Sequence, residues 1–270
     1  MNERNTLKWY IGTSGFSFSD WIGTVYPESI KSSEMFTYYC QHYGFNAVEI
    51  NYTFYQMPSY KSIVSLLRRA PTGFKFALKI HGSITHEGNL ENIANFLKNT
   101  HIVFDEGKLA GYLAQFPYTF KYSDENITFL KRIAECFKDS KVFIEFRHLS
   151  WSYKEDVVEF IKEYSPNVSI VIVDLPKISG LYPFNTYYNS EDEEIYVRLH
   201  GRKKSWFTAY EKTRYDYYYT EDELDEISKS ILLPNVKKAL VFFNNCYRGQ
   251  ALRNARSFRE QVGGEKIGIF

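Results

Sequence analysis

Four pairs of polar residues, spaced two apart, stand at the ends of apolar runs: Glu49 and Asn51, Lys79 and His81, Glu145 and Arg147, Arg198 and His200. Side chains two apart on a β-strand share a face, so each pair points one way. Asp174 ends a further run, Gln115 lies near the end of another, and Asn244 and Asn245 close the last. Gathered around one cavity, this set supplies carboxylates and imidazoles for proton transfer, and a lysine and two guanidiniums to hold an anion. Charged groups withdrawn from water persist only when paired or bound, so their repetition at run ends predicts a polar ligand site. Taken singly, each is equally a rim charge or half of an ion pair closing the top of the fold.

The runs that carry them lie near residues 8–13, 46–51, 74–81, 108–116, 141–147, 168–174, 194–200 and 239–245. Their starts are 26 to 45 residues apart, too far for hairpins and right for strand–crossover–strand units. Helical patterns with caps fill the gaps. Ser152 with Glu155, and Thr220 with Glu223, have capping-box spacing; Ser123 and Ser59 precede two more helices, and Pro71 stops the second of these. The connection 175–193 has no helical period. Apolar strands alternating with amphipathic helices predict an α/β fold with a parallel sheet, and eight units in 270 residues fit a single TIM-type (β/α)8 barrel, one domain over residues 1–270. A doubly wound open sheet is the alternative. In such barrels the active site lies at the C-terminal ends of the strands.

The segment GTSGF at 12–16, containing Thr13, is glycine-bracketed and placed to offer backbone N–H groups to an anion. It has neither the G-K-[ST] of a P-loop nor the third glycine of a dinucleotide fingerprint, and no other motif names a cofactor. His86 follows the third strand and can reach the same rim, whereas His42 and His101 fall in helical patterns without partners. The seventh connection interleaves Arg202, Lys203, Lys204, Lys212 and Arg214 with Trp206, Phe207 and several tyrosines. That is the composition of a surface that stacks on bases or sugars and contacts phosphate, or of a long loop whose aromatics pack on the fold.

Composition excludes some classes. Lys and Arg number 33 against 32 Asp and Glu, which argues against a wholly basic nucleic-acid binder. Aromatic residues reach 18%, and charged and apolar fractions are those of a globular chain. No apolar run is long enough to span a bilayer, and the first residues lack a secretory pattern, so a cytoplasmic protein is expected. Cys40, Cys136 and Cys246 show no pairing or metal spacing and read as small buried hydrophobes.

The ordered set GTSGF-x-F-x-x-W (12–21), VEINYTFYQMP (48–58), FKFALKIHGSITH (74–86), LAQFP (113–117), IEFRHLSW (144–151), VDLP (173–176), YVRLHGR (196–202) and FFNNCYRGQALRNA (242–255) resembles the YecE-like family, domain of unknown function 72. The resemblance spans nearly the whole chain and implies a TIM-type barrel in the cytoplasm; it carries no reaction. Three functions follow. The first is metal-independent binding or turnover of a small polar or anionic substrate. Glu49, Lys79, Glu145 and His200 do the acid–base work, and Thr13, Asn51, Arg147, Asp174, Arg198, Asn244, Asn245 and Trp206 hold the ligand. The second is a metal-dependent barrel like the sugar isomerases and apurinic-site endonucleases, with Glu49, Glu145, Asp174, His81 and His200 around Zn²⁺, Mn²⁺ or Mg²⁺. The third is nucleic-acid binding through the loop 201–220. Cofactor and oligomeric state are not specified by these residues.

Overall fold

Parallel pairing governs every ladder of the computed structural model, which describes residues 7–209 and 211–263. The strands are β1 (Lys8–Thr13), β2 (Ala47–Ile50), β3 (Lys75–Lys79), β4 (Leu109–Gln115), β5 (Val142–Glu145), β6 (Val168–Ile170), β7 (Ile172–Asp174), β8 (Glu194–Leu199) and β9 (Lys238–Phe243). One sheet has the order β1-β9-β8-β7 and the other β2-β3-β4-β5-β6. The eight expected runs are all present, and the sixth is split at Val171. Its first half pairs with β5 and its second with β8, while the Val171 amide donates to Ile144 O at 2.8 Å.

The other junction, between β1 and β2, is made largely by side chains. A single parallel bridge joins Ser14 to Glu49, and the Gly15 amide donates to Glu49 O at 2.8 Å. Below it, Asn46 accepts from the Ile11 amide at 2.9 Å and donates to Trp9 O at 2.8 Å. Tyr39 Oη accepts from the Thr13 amide at 3.0 Å and donates to Ala47 O at 3.1 Å. These groups replace ladder bonds that a continuous sheet would supply.

Helices cover the sheets where the sequence places them, and three of the four expected caps form. Ser59 and Ser123 accept from Ser62 and Asn126 amides, and Thr220 with Glu223 forms a complete capping box. Ala70 is extended before Pro71 and ends its helix there. The box expected at Ser152 and Glu155 does not form: the helix starts at Glu155, Tyr153 adopts a left-handed φ of 55°, and Tyr188 Oη takes the Lys154 amide instead. The connection 175–193 holds the 3₁₀ turn Tyr187–Asn189 and an isolated bridge from Leu181 to His148, and no α-helix among its described residues. Cys40 and Cys246 are buried as expected, but Cys136 is exposed at the last turn of its helix. No helix among the described residues is long and apolar enough to cross a membrane.

Much of the aromatic content lies in the packing between sheets and helices. Trp151 stacks on Phe146 (4.3 Å between ring centroids) and on Phe120 (5.3 Å), and its indole N–H donates to Phe120 O at 2.7 Å.

Gly12 lies at the β1–β2 junction, where a Cβ would stand 2.0 Å from Ala47 O and 2.8 Å from Tyr39 Oη. Gly12→Ala is therefore expected to cost more than about 4 kcal/mol or to prevent folding. Gly73→Ala, at a φ of 77° with nothing within 4 Å, is expected to cost only about 1 kcal/mol. Urea unfolding of the two variants checks the contrast; equal losses would mean that the junction tolerates a side chain.

Candidate functional site

The strand-end polar residues meet in one alternating chain of charge. Arg198, on β8, reaches both carboxylates: Nη2 donates to Glu49 Oε1 on β2 and Nη1 to Glu145 Oε2 on β5, each at 2.6 Å. Arg147, two residues beyond Glu145, places Nη2 2.6 Å from Glu145 Oε1 as a charge contact. At the other end, Tyr196 Oη donates to Glu49 Oε2 at 2.6 Å. His200 Nε2 lies 3.4 Å from Glu145 Oε1, and its Nδ1 is 2.7 Å from Asn244 Nδ2. Glu49, Glu145 and His200 are fully buried, Arg198 is 1% exposed and Arg147 8%. Two carboxylates and two guanidiniums thus cancel inside the protein, and the alternation is what makes their burial tolerable.

Burial opposes ionisation of Glu145, yet Arg147 and Arg198 beside it hold its carboxyl well below the usual range. Burial and then Arg147 push His200 far below an ordinary histidine, so its ring is neutral. Neither group exchanges a proton near pH 7. Lys79 is different. Its side chain is only partly buried, its ammonium rests 4.0 Å from the centre of the Phe54 ring, and among the described residues it has no carboxylate within 4 Å. Burial, then Arg198, lowers it to about 7 against the upward pull of Glu49 and Glu145. His86 packs edge-on to the same Phe54 ring at 4.8 Å and is lowered to about 4 by burial, Lys79 and Arg147. Arg147 is covered from outside by Trp206, 5.9 Å away, which also packs edge-on to His200.

Several expected ligand groups are committed elsewhere. The amides of Thr13, Ser14 and Gly15 are taken by Tyr39 Oη, Phe243 O and Glu49 O, so the GTSGF turn has no anion nest at these amides and Thr13 is a junction residue. Asp174 lies apart from the Arg198 chain: Arg202 Nε donates to both its oxygens at 3.0 Å and Tyr219 Oη to one at 2.6 Å, anchoring the seventh connection. Asn245 donates to Tyr217 O and Asn254 Oδ1 and holds that connection to the helix Gln250–Gln261. Gln115 donates to its neighbour Phe116 O. Asn51 stands just before the short helix Tyr52–Tyr55 without a side-chain capping bond, and its buried Oδ1 has no partner among the described residues. His81 caps the helix Gly82–Thr85 through Ser83.

The metal-ligand set does not converge. Arg198 occupies the space between Glu49 and Glu145, Asp174 is bound to Arg202, and His81 to Ser83. Among the described residues no group of three or more His, Cys, Asp or Glu side chains is placed to hold a metal ion. The seventh connection also spends much of its charge internally. Arg202 is tied to Asp174 and Glu223, Lys203 to Thr213 O and Asp216, and Arg214 lies against Trp206, which leaves Lys204 exposed. Tyr210 and the side chain of Lys212 lie outside the described residues. Tyr196, Ser14, Phe54 and Arg202 were not marked by strand-end polarity. Tyr196 was within reach of it, standing two residues before Arg198 on the same face.

A family model described as "Protein of unknown function DUF72" matches residues 10–268. A DUF72 family protein from Thermotoga maritima is 40% identical, with a TM-score of 0.85 over 94% of this chain and 99% of that one. One from Enterococcus faecalis is 27% identical, with a TM-score of 0.82 over 96% and 97%. The UPF0759 protein YunF of Bacillus subtilis is 28% identical, with 96% of each chain covered. An AP endonuclease, family 2, from Brucella melitensis is 11% identical with a TM-score of 0.55 over 92% and 96%, a likeness of fold alone.

Removing the central guanidinium leaves two buried carboxylates unbalanced, so Arg198→Met is expected to cost about 3–5 kcal/mol in urea unfolding. In a Glu49→Gln background the same change is expected to cost less by about 1–3 kcal/mol, and additive losses would show that no such network exists. Acid acts through the same groups. Neutral, buried His200 and His86 refuse protons that the unfolded chain accepts below about 6.5, so stability falls as pH drops from there. Below the ordinary carboxyl value of 4.5 the stabilisation from ionised Glu145 is lost as well. His200→Gln is expected to flatten the limb between about pH 6.5 and 4.5; an unchanged slope would show that His200 is already protonated in the native protein.

Proposed function

The chain belongs to the DUF72 family, and on that premise we propose that it is a one-domain (β/α)8 barrel that binds and transforms a small anionic substrate at the C-terminal ends of its strands. Closure is supported by the Ser14–Glu49 bridge at one junction and, at the other, by β6 and β7, which flank Val171 and pair with β5 and β8. Arg198 spanning from one sheet to two strands of the other supports it further.

One observation carries the functional reading. Every other charged group of the cluster has a partner of opposite sign, whereas Lys79 has none among the described residues and rests on an aromatic ring. The Glu49–Arg198–Glu145–Arg147 chain is neutral as a whole, so the charge of a protonated Lys79 is left for something that binds. The unpaired Asn51 Oδ1 stands one residue beyond the end of β2, the strand that pairs with that of Lys79. With a pKa of about 7, Lys79 is, of the four groups that the sequence assigns to acid–base work, the one poised to give and take a proton at neutral pH. Glu49, Glu145 and His200 set the field around it. The metal-dependent alternative lacks a convergent donor set, and no observation favours nucleic acid.

Inorganic phosphate is expected to raise the unfolding temperature of the protein beyond chloride at equal ionic strength, by the linkage that any native-state ligand produces. The effect should grow as pH falls through about 7, where Lys79 gains its proton. Lys79→Met should abolish it. A phosphate effect no larger than that of chloride, or one retained in Lys79→Met, would remove the anion site.

A further inference from the structure

We propose that Lys79 is a nucleophile that forms an imine with a small aldehyde or ketone carrying an anionic group. This rests on the reading of the strand-end site above and specifies its substrate class. Three features of the lysine's surroundings carry it. Its backbone is fixed, because Lys79 O accepts from Thr53 Oγ1 at 2.6 Å and the following amide, of Ile80, donates to Leu113 O at 2.9 Å. Its amine is held over Phe54 at 4.0 Å rather than in an ion pair, so no carboxylate must be displaced before the nitrogen lone pair is used. It stands among fixed cations, Arg198 and Arg147, with Glu49 and Glu145 already bound to them. Desolvation beside other cations is the environment that turns a lysine into a nucleophile.

A cavity of about 520 Å³ opens on the far side of the Phe54 ring rather than on the amine itself: His86, packed on that ring, lines it with Glu87, Phe120, Glu125, Phe129 and Arg132, and Lys79 is not part of its wall. In the step itself the Lys79 lone pair attacks the carbonyl carbon, forming C–N as the C=O π pair moves to oxygen. The nitrogen loses a proton and the oxygen gains one, giving a carbinolamine. Its hydroxyl takes a further proton from solvent and leaves as water while the nitrogen lone pair forms the iminium. No oxidant or reductant is consumed. The anionic group of the substrate balances the iminium charge, which replaces that of the ammonium.

The test is reductive trapping of the intact protein at pH 7.5 with sodium cyanoborohydride and pyruvate or dihydroxyacetone phosphate, with acetone as the uncharged control, followed by peptide mapping. An ordinary lysine has roughly 0.1% free amine at this pH, whereas a lysine lowered to about 7 has a far larger free fraction. Adduct formation at Lys79 is expected to be at least about tenfold faster than at any other lysine. It should be faster with an anionic probe than with acetone, and its rate should level off above about pH 7. Arg198, raised, and Glu145 and His86, lowered, keep their charge states above that pH, so the plateau reports Lys79. Labelling spread evenly over surface lysines, or a rate still rising steeply towards pH 10, would overturn the proposal. Lys79→Arg keeps the charge and cannot form an imine: it is expected to lose trapping and retain protection by phosphate. Trapping that fails while phosphate still protects the wild type defeats the imine alone. Loss of phosphate protection in the wild type defeats the anion site beneath it.

Discussion

Arg198 is the constraint on which the rest of the strand-end layer depends. It stands on β8 of one sheet and binds carboxylates on β2 and β5 of the other, so one guanidinium couples three strands that share no ladder. Planarity matters here. A guanidinium presents donors on separate edges and can bridge two carboxylates at 2.6 Å each, whereas an ammonium could match the charge but not the two directions. Each carboxylate is then completed by a second donor, Tyr196 for Glu49 and Arg147 for Glu145. The result is a buried polar layer of zero net charge resting on an aromatic one, since Tyr196 packs between Phe143 and Phe242 at 4.7 and 5.0 Å.

The strands and the helix starts at Ser59, Ser123 and Thr220 were legible in the sequence because their signals are local: apolar runs, Ser or Thr caps, and a proline stop at Pro71. The missing capping box shows where locality fails. Ser152 and Glu155 have the right spacing, but Tyr188, distant in sequence, takes the Lys154 amide. The division into two sheets was hidden for the same reason. Nothing in the run 168–174 marks Val171 as a break, and the β1–β2 junction depends on Asn46 and Tyr39, residues outside both strands.

The site was legible in part. Period-two alternation found Glu49, Lys79, Glu145, Arg147, Arg198 and His200, because a strand turns alternate side chains to one face. Alternation cannot say which neighbour a polar group meets. Asp174 has the same strand-end position as Glu145 and a wholly different role, since Arg202 and Tyr219 come to it from the seventh connection. The interleaved cations and aromatics of that connection are in part its own packing, with Trp206 and Tyr219 buried and Arg202 bound, while Phe207 and Tyr218 stay exposed.

The chemistry therefore concentrates on the group that the neutral layer leaves over. Glu49, Glu145, Arg147 and Arg198 satisfy one another, and that satisfaction makes Glu145 too acidic and His200 too weakly basic to move protons at neutral pH. A proton-transfer site built on these carboxylates would have to break an ion pair in every turnover, at a cost that buried pairs make large. Lys79 avoids it. Its depressed pKa comes from burial and from Arg198, so the guanidinium that closes the layer also keeps the amine next to it partly free of its proton. The balanced ion pairs and the reactive amine are in this sense one arrangement: the more firmly Arg198 holds its two carboxylates, the less of their charge remains to stabilise the ammonium of Lys79.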